Sequence, residues 1–308
     1  MSAVSGPPVD FSPTTTASPA TTVSPAPELS GPIDMRYYLT EGLEGAERQK
    51  YSGGPAFTEA IESKAGELRG QYVVFSSVGQ KDFARVNRIR DADYKGLRFL
   101  YLDNEETLIV KTTFQALPGI VSTRLLDLLW MKIVAMGLDD ELADLGSTSF
   151  KGKHSSKEAY CVLKPGSFRR SKDDWPTLVF ECGVSKSGIR LGVDASWWLQ
   201  HSQEEVKIVL VLKVSEEDRK IELEQWEMDT RANPHGGRRP TRTQKVTIVA
   251  PLGSRAVATA PFSLNFNKIF LRDPDPAKGE KDIVFSEGEL EKKFAQHVWK
   301  FASKRSIQ

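Results

Sequence analysis

The chain has 308 residues, 39% of them hydrophobic and 9% aromatic, so it is long enough and apolar enough to bury a substantial core. Lysine and arginine number 42 against 41 acidic residues, and a formal net charge of +1 excludes a protein drawn to nucleic acid or membranes by its overall charge. Two cysteines and four scattered histidines exclude a disulfide framework and a structural zinc site.

The cellular location follows from what the sequence lacks. No apolar run approaches the roughly 18 residues of a membrane span, and the first residues lack the charged and apolar regions of a secretory signal. We therefore expect a reduced intracellular protein of the cytoplasm or nucleus, with no membrane partner.

Residues 1–33 consist mainly of proline, serine, threonine and alanine. Such a segment has few apolar side chains whose burial could offset the conformational entropy lost on ordering. It is therefore predicted to be a disordered tail. It offers hydroxyls for phosphorylation or glycans, but a solvated extension is the simpler interpretation. Residues 34–308 are predicted to form a single domain.

The first folded elements alternate between helix and strand patterns. Residues 54–70 have helical apolar spacing that ends at a glycine, and QYVVFSS, LRFLYLD and TLIVKTT are typical of short strands. Ser122 is predicted to cap the next helix, TRLLDLLWMKIVAMG, which Gly137 ends. Its apolar residues cover more than one side, which indicates a core helix.

The second half predicts strands at 157–163 and 177–183, a helix at 187–201, and strands at 206–214 and 220–228. The run from Ile208 to Leu212 is continuously apolar, as expected of a strand covered on both faces. Residues 243–303 are predicted to hold the strands KVTIVA and FSLNFNKIF and a helix that opens with a Ser286–Glu289 capping box. The prediction is an α/β (α+β) fold with a mixed central sheet flanked by helices.

Four phrases in this region, SKEAY, DWPTLVFECG, LGVDASWWLQHS and VKIVLVLKV, carry a family resemblance. Over about residues 97–228 the chain resembles the fungal branch of the PD-(D/E)XK restriction-endonuclease-like superfamily, and NKIFLRDP with SEGEL extends the match. The resemblance implies a core of helix, three strands, helix and strand, with a site where the second and third core strands part. It also implies Mg²⁺- or Mn²⁺-dependent cleavage of phosphodiesters, in which carboxylates from neighbouring strands hold the metal.

Glu181 matches the acidic residue of the (D/E)XK half-motif. Strand alternation puts Glu181 and Val179 on one face and Leu178, Phe180 and Cys182 on the other. A lone strand glutamate is also compatible with a structural ion pair to Lys153, Lys157 or Lys186. On the preceding strand, alternation predicts that Glu158, Tyr160 and Val162 share a face.

Three positions depart from the family pattern. Tyr160 stands where we expect the first metal-binding aspartate, Gly183 where we expect the lysine, and Pro118 near the position of a helical glutamate. Glu158 replaces the aspartate only if the metal moves about 6.6 Å along the strand. The candidate catalytic residues are therefore Glu181, Glu158 and Lys186, with Glu181 and Glu158 as metal ligands.

Two basic loops suit phosphate groups. Arg169 and Arg170 lie between the site strands, and Arg238, Arg239 and Arg242 lie in the segment 231–245. Solvated loops explain the same charges equally well. The paired tryptophans at 197 and 198 occupy an apolar helix, which favours core packing over base stacking. Cys161 and Cys182 are predicted to be buried thiols on the same side of adjacent strands.

Two hypotheses follow. The first is a nuclease-fold pseudoenzyme with impaired or lost phosphodiesterase activity that retains affinity for nucleic acid. The second is a non-enzymatic module on the same scaffold, in which the N-terminal tail recruits a protein partner.

Overall fold

The computed structural model of the protein describes residues 35–65, 71–112, 116–229 and 238–302. The predicted tail at 1–33 and the predicted helical residues 66–70 lie outside these ranges, as does Arg231 at the start of the second basic loop. Within these ranges, no helix combines the length and the apolar character that crossing a bilayer requires.

The described elements run through the chain as follows. The helices are α1 (Met35–Thr40), α2 (Gly54–Ala65), α3 (Gln80–Asp93), α4 (Ala116–Ala135), α5 (Gly188–His201), α6 (Phe266–Phe270), α7 (Glu287–Glu289) and α8 (Gln296–Ala302). The strands are β1 (Glu47–Lys50), β2 (Tyr72–Ser76), β3 (Arg98–Leu102), β4 (Thr107–Lys111), β5 (Leu142–Asp144), β6 (Ser149–Gly152), β7 (Ser155–Glu158), β8 (Cys161–Pro165), β9 (Leu178–Val184), β10 (Ile208–Ser215), β11 (Lys220–Met228), β12 (Pro240–Val249), β13 (Val257–Ala258), β14 (Phe262–Leu264) and β15 (Ile283–Phe285). A π-helical segment, Leu290–Ala295, joins α7 to α8.

Six strands form the first sheet, in the order β1-β2-β4-β3-β7-β6. Only the β1–β2 pair is parallel among the pairs of this sheet in the described ranges. Helices α2 and α3 cover its outer face through a core that includes Phe57, Phe75 and Val86. Phe83 of α3 stacks on Tyr101 of β3, with ring centroids 4.0 Å apart.

Seven strands form the second sheet, in the order β13-β12-β11-β10-β9-β8-β5. Strands β9 and β10 run parallel, and β8 pairs antiparallel with β9. One face packs on α4, the C-terminal helices and the antiparallel pair β14–β15, and this core contains Leu125, Phe180, Leu210 and Phe294. The continuously apolar run predicted in β10 reflects burial on both faces.

Helix α5 lies between the two sheets. Every residue from Arg190 to Leu199 is buried, so no face of the helix is left to solvent along this stretch. Its core includes Tyr72 and Ile109 from the first sheet and Val179 and Val209 from the second. The first sheet therefore covers the face of β9 on which Glu181 lies.

The predicted α/β fold with a mixed sheet and flanking helices is confirmed. Along the second sheet, α4, β5, β8, β9, α5 and β10 follow one another as helix, three strands, helix and strand, the order that the resemblance implies. Strand β11 has the predicted bounds, and both hydrogen bonds of the Ser286–Glu289 capping box are present.

Three predicted elements were wrong. Helix α4 begins at Ala116 and not after Ser122, because its buried stripe starts at Leu117 and Pro118 is tolerated in a first turn. The predicted strand 157–163 is two strands, β7 in the first sheet and β8 in the second, because the chain crosses between sheets at Ala159–Tyr160. The predicted strand FSLNFNKIF is strand β14 followed by helix α6.

Candidate functional site

Glu181 is buried in the middle of the second sheet. Strand β9 is paired on both sides, and Glu181 is 1% exposed. The predicted alternation is confirmed, since Phe180 and Cys182 belong to the core beneath α4 while Val179 belongs to the core around α5. Glu181 lies on the α5 side, where its carboxylate meets only protein groups among the residues described.

Both carboxylate oxygens of Glu181 accept hydrogen bonds or lie against ammonium groups. Lys111 Nζ on β4 is 3.0 Å from Oε2, and Trp198 Nε1 on α5 donates to Oε1 at 2.8 Å. Lys157 Nζ on β7 lies 3.4 Å from Oε1. Two strands of the first sheet thus supply the counter-charges for a carboxylate on the second.

A second carboxylate extends this arrangement. Asp194 on α5 accepts from Lys157 Nζ at 2.9 Å and from the Tyr72 hydroxyl at 3.1 Å. Arg190, one turn earlier, places Nε 3.5 Å from Asp194 Oδ1 and donates through Nη1 to the Tyr38 carbonyl at 2.7 Å. We call Lys111, Lys157, Glu181, Arg190 and Asp194 the buried ion network.

The buried ion network holds three cations and two carboxylates, each at most 4% exposed. Burial acts to raise the pKa of Asp194, but Lys157 and Arg190 outweigh it and hold that pKa at about 2. Burial and the neighbouring Asp194 charge raise the pKa of the Tyr72 hydroxyl well above its ordinary value. Asp194 is therefore ionised at neutral pH because Lys157 and Arg190 compensate the cost of its burial.

The donor set around Glu181 does not fit a divalent cation. Magnesium requires several oxygen ligands in octahedral geometry, whereas Lys111, Lys157 and Trp198 direct N–H groups at the carboxylate. Lys157 Nζ, between Glu181 and Asp194, carries the positive charge that a metal would supply there. In the described ranges, no group of three or more His, Cys, Asp or Glu side chains is arranged to hold a metal.

The other two candidate catalytic residues do not share a partner with Glu181. Glu158 points to the opposite side of β7 from Lys157, where it pairs with Arg90 of α3 and accepts from the Phe99 N–H at 3.4 Å. Lys186 has a side chain 79% exposed, and its ammonium lies 3.4 Å from Glu217. The structure therefore places Glu158 under α3 and Lys186 at the surface.

Side chains pack closely around Tyr160 and Gly183, two of the three positions that depart from the family pattern. The Tyr160 hydroxyl would lie 3.1 Å from a Cβ built on Gly119, and Arg98 lies over the Tyr160 ring at 5.7 Å. A Cβ on Gly183 would lie 2.7 Å from Gln71 Oε1, which accepts from the Val184 N–H at 3.0 Å. A lysine at position 183 would therefore require Gln71 to move and to lose its hydrogen bond with Val184.

The predicted common face of Glu158, Tyr160 and Val162 was wrong. Tyr160 packs against the core beneath α4, whereas Val162 belongs to the core around α5. The crossing between sheets at Ala159–Tyr160 interrupts the alternation that a continuous strand would have. Cys161 and Cys182, by contrast, are buried free thiols in the same core, as predicted.

Most of the basic loop residues are engaged within the protein. Arg169 pairs with Glu205 and Arg238 with Glu204, so two arginines meet the same acidic turn after α5. Three further contacts involve the remaining loop arginines: Arg242 to Glu224 at 3.1 Å, Arg170 to the Ser167 carbonyl at 3.3 Å, and the Arg239 carbonyl to the Asp229 N–H at 2.7 Å. Trp197 and Trp198 are fully buried, so neither ring is exposed for base stacking.

Sequence reasoning missed Lys111, Arg190 and Asp194 as members of the site. Lys111 lies on a strand 70 residues before Glu181, and nothing in either segment indicates that they meet. Asp194 did carry a signal, because an aspartate within the apolar stretch of LGVDASWWL needs a buried partner. Arg190 stands at the i−4 position from it, the spacing of a helical ion pair.

Comparisons with known proteins add one structural similarity. No protein-family profile and no curated protein matches the sequence. Among solved structures, the chain is similar to a proposed nuclease belonging to DUF820 from Anabaena variabilis ATCC 29413, with a TM-score of 0.34 and 8% sequence identity. The match covers 67% of this chain and 91% of that chain. A similarity of this size does not establish a shared function.

Proposed function

We propose that the protein is a restriction-endonuclease-like pseudoenzyme that has lost metal-dependent phosphodiester hydrolysis and retains nucleic acid as its partner. The proposed loss of hydrolysis rests on the set of N–H donors around Glu181. A carboxylate neutralised by two lysines has no charge left to bind Mg²⁺ or Mn²⁺. The element order α4, β5, β8, β9, α5 and β10 supports the nuclease-like core.

The covering of Glu181 also supports loss of activity. Hydrolysis requires a phosphodiester to approach the carboxylate and its metal, and the first sheet covers that face of β9. Neither of two surface cavities, of about 770 and 290 Å³, is lined by a member of the buried ion network. A substrate would have to separate the first sheet from α5 to reach Glu181.

A nuclease assay tests this proposal. Purified full-length protein is incubated with single- and double-stranded DNA and RNA in Mg²⁺ and separately in Mn²⁺, beside a Glu181→Ala variant. We expect no cleavage above the level of the variant. Cleavage by the wild type that Glu181→Ala abolishes would show an active enzyme and contradict the proposal.

The ion pairs of Arg169, Arg238 and Arg242 favour the second candidate function, a non-enzymatic module that binds a protein partner. Paired arginines contribute less to phosphate binding because an anionic ligand must displace their glutamates. Binding to an oligonucleotide at low salt, where phosphate contacts are strongest, separates the two candidates. If no binding is observed there, the module hypothesis is preferred.

A further inference from the structure

Helix α3 carries a row of cations on its outer face. Lys81, Arg85 and Arg88 are exposed, and their i, i+4 and i+7 spacing places them on one face of the helix. Phe83 and Val86 pack the opposite face on the first sheet. We call these three residues the α3 cation row, and they extend over about 10.5 Å at 1.5 Å per residue.

The arginines of the α3 cation row differ from most other arginines of the described ranges in lacking internal partners. Most arginines elsewhere in the described ranges donate to a backbone carbonyl or pair with a carboxylate. Within those same ranges, no hydrogen bond or ion pair engages the charged groups of Lys81, Arg85 and Arg88. Asp82 lies in the first turn of the same helix, but no ion pair within the described residues joins it to the row, so the three charged groups are open to an anionic partner.

The surroundings of the row restrict the side from which an anion can approach. Arg85 also lines the cavity of about 770 Å³ between α2 and α3, whose wall carries Glu59, Glu62 and Asp93. Asp91 is engaged by Arg90, at 2.7 Å. The acidic cavity wall repels an anion, so the approach is along the exposed line from Lys81 to Arg88 and away from α2.

We propose that the α3 cation row binds the phosphate backbone of a nucleic acid without reading its sequence. The inference rests on the proposed function, which supplies nucleic acid as the partner class. Three cations along one helix face suit successive phosphates of a strand. Phe83, the aromatic residue of α3, stacks on Tyr101 and is not presented to bases, so binding is electrostatic and sensitive to salt.

Fluorescence anisotropy of labelled oligonucleotides, single-stranded and duplex, tests the inference across a range of salt concentrations. The test variant is Lys81→Ala/Arg85→Ala/Arg88→Ala, since alanine preserves the helix. The control, Lys281→Ala/Lys292→Ala/Lys300→Ala, removes three exposed lysines elsewhere. For duplex DNA, raising the salt concentration about fourfold should lower the affinity of every protein. The loss of affinity should be about 40-fold larger for the wild type and the control than for the α3 variant.

The outcomes separate this inference from the proposed function. If the wild type and the α3 variant bind with equal affinity and equal salt dependence, the α3 assignment is overturned and nucleic-acid binding stays in place. The same holds if the control variant loses as much affinity as the α3 variant. Absence of wild-type binding at low salt would overturn both. Cleavage that requires Glu181 would overturn the loss of activity alone. Binding to anionic vesicles that depends on the row, without such dependence for oligonucleotides, would assign it to membranes instead.

Discussion

Lys157 on β7 and Asp194 on α5 form a buried ion pair, with Nζ and Oδ1 2.9 Å apart, that joins the first sheet to the helix beneath it. The same ammonium lies 3.4 Å from Glu181 on β9. One lysine therefore links helix α5 to one strand of each sheet, β7 and β9. This linkage makes Glu181 part of the structure that holds the sheets together, which is the physical basis of our proposal that the metal site has been lost.

Lys157→Met should destabilise the protein strongly. The substitution leaves Glu181 and Asp194 buried with fewer counter-charges, and breaking a buried pair in this way costs about 3–5 kcal/mol of unfolding free energy. Urea unfolding measures the change. Lys151→Met, at an exposed position of β6, is the matched control and should stay within about 0.5 kcal/mol of the wild type. A similar small effect of both substitutions would contradict the network.

Glu181 and Lys111 should be energetically coupled. Either Glu181→Gln or Lys111→Met alone leaves a buried charge with a missing partner, whereas the double variant removes both charges. We expect the double variant to be less destabilised than the sum of the single variants by about 1–3 kcal/mol. Additivity of the two effects, measured by the same unfolding experiment, would show that the pair contributes nothing.

Gly183→Ala should destabilise the protein because the new Cβ would lie 2.7 Å from Gln71 Oε1 and 3.2 Å from Leu191 Cδ1. Overpacking of this kind costs about 1–3 kcal/mol. Gly288→Ala in α7 is the control, since its Cβ would lie in open space and helical alanine is favoured over glycine by about 1 kcal/mol. Thermal unfolding of the two variants should shift in opposite directions. An unchanged midpoint for Gly183→Ala would show that the site has room for a side chain.

His201 should make the protein less stable in mild acid. Burial lowers its pKa to about 4, and its ring stacks on Trp197 with centroids 5.0 Å apart. The unfolded chain takes up a proton below about pH 6.5 that the folded state excludes, so the unfolding free energy falls by about 2–3 kcal/mol between about pH 6.5 and 4. His201→Gln should remove most of this dependence in a series of unfolding curves. An equal loss in wild type and variant would assign it to other groups.

Asp194 acts in a lower pH range. Its folded pKa of about 2 lies below the ordinary value of 3.8, so its contribution to stability is present above pH 4 and is lost as the pH falls towards 2. This loss is separable from that of His201 because the two pH windows barely overlap.

Local periodicity was sufficient to predict strands β9, β10 and β11 of the second sheet and the side of β9 on which Glu181 lies. The apolar runs of β9 and β10 and the Ser286 capping box depend on neighbouring residues alone, so the sequence contains their full signal. Helix α3 was not predicted, since Val86 is its one fully buried residue and a polar helix carries little periodic pattern.

The partners of Glu181 depend on tertiary packing and could not be predicted in the same way. Lys157 was one of three lysines predicted as a structural partner of Glu181, as an alternative to the metal site. The structure shows this ion pair. Lys111 requires knowledge that a second sheet packs over α5, which no local pattern supplies. The crossing of the chain from the first sheet to the second at Ala159–Tyr160 likewise depends on pairing with strands that are distant in sequence.

Binding of Mn²⁺, followed by electron paramagnetic resonance of the free ion, tests the central claim most directly. If Glu181 is held by Lys111, Lys157 and Trp198, then the wild type and Glu181→Gln should leave the same fraction of Mn²⁺ free at every concentration. One Mn²⁺ bound per wild-type chain and lost in Glu181→Gln would show that the carboxylate still holds a metal, and would contradict the account.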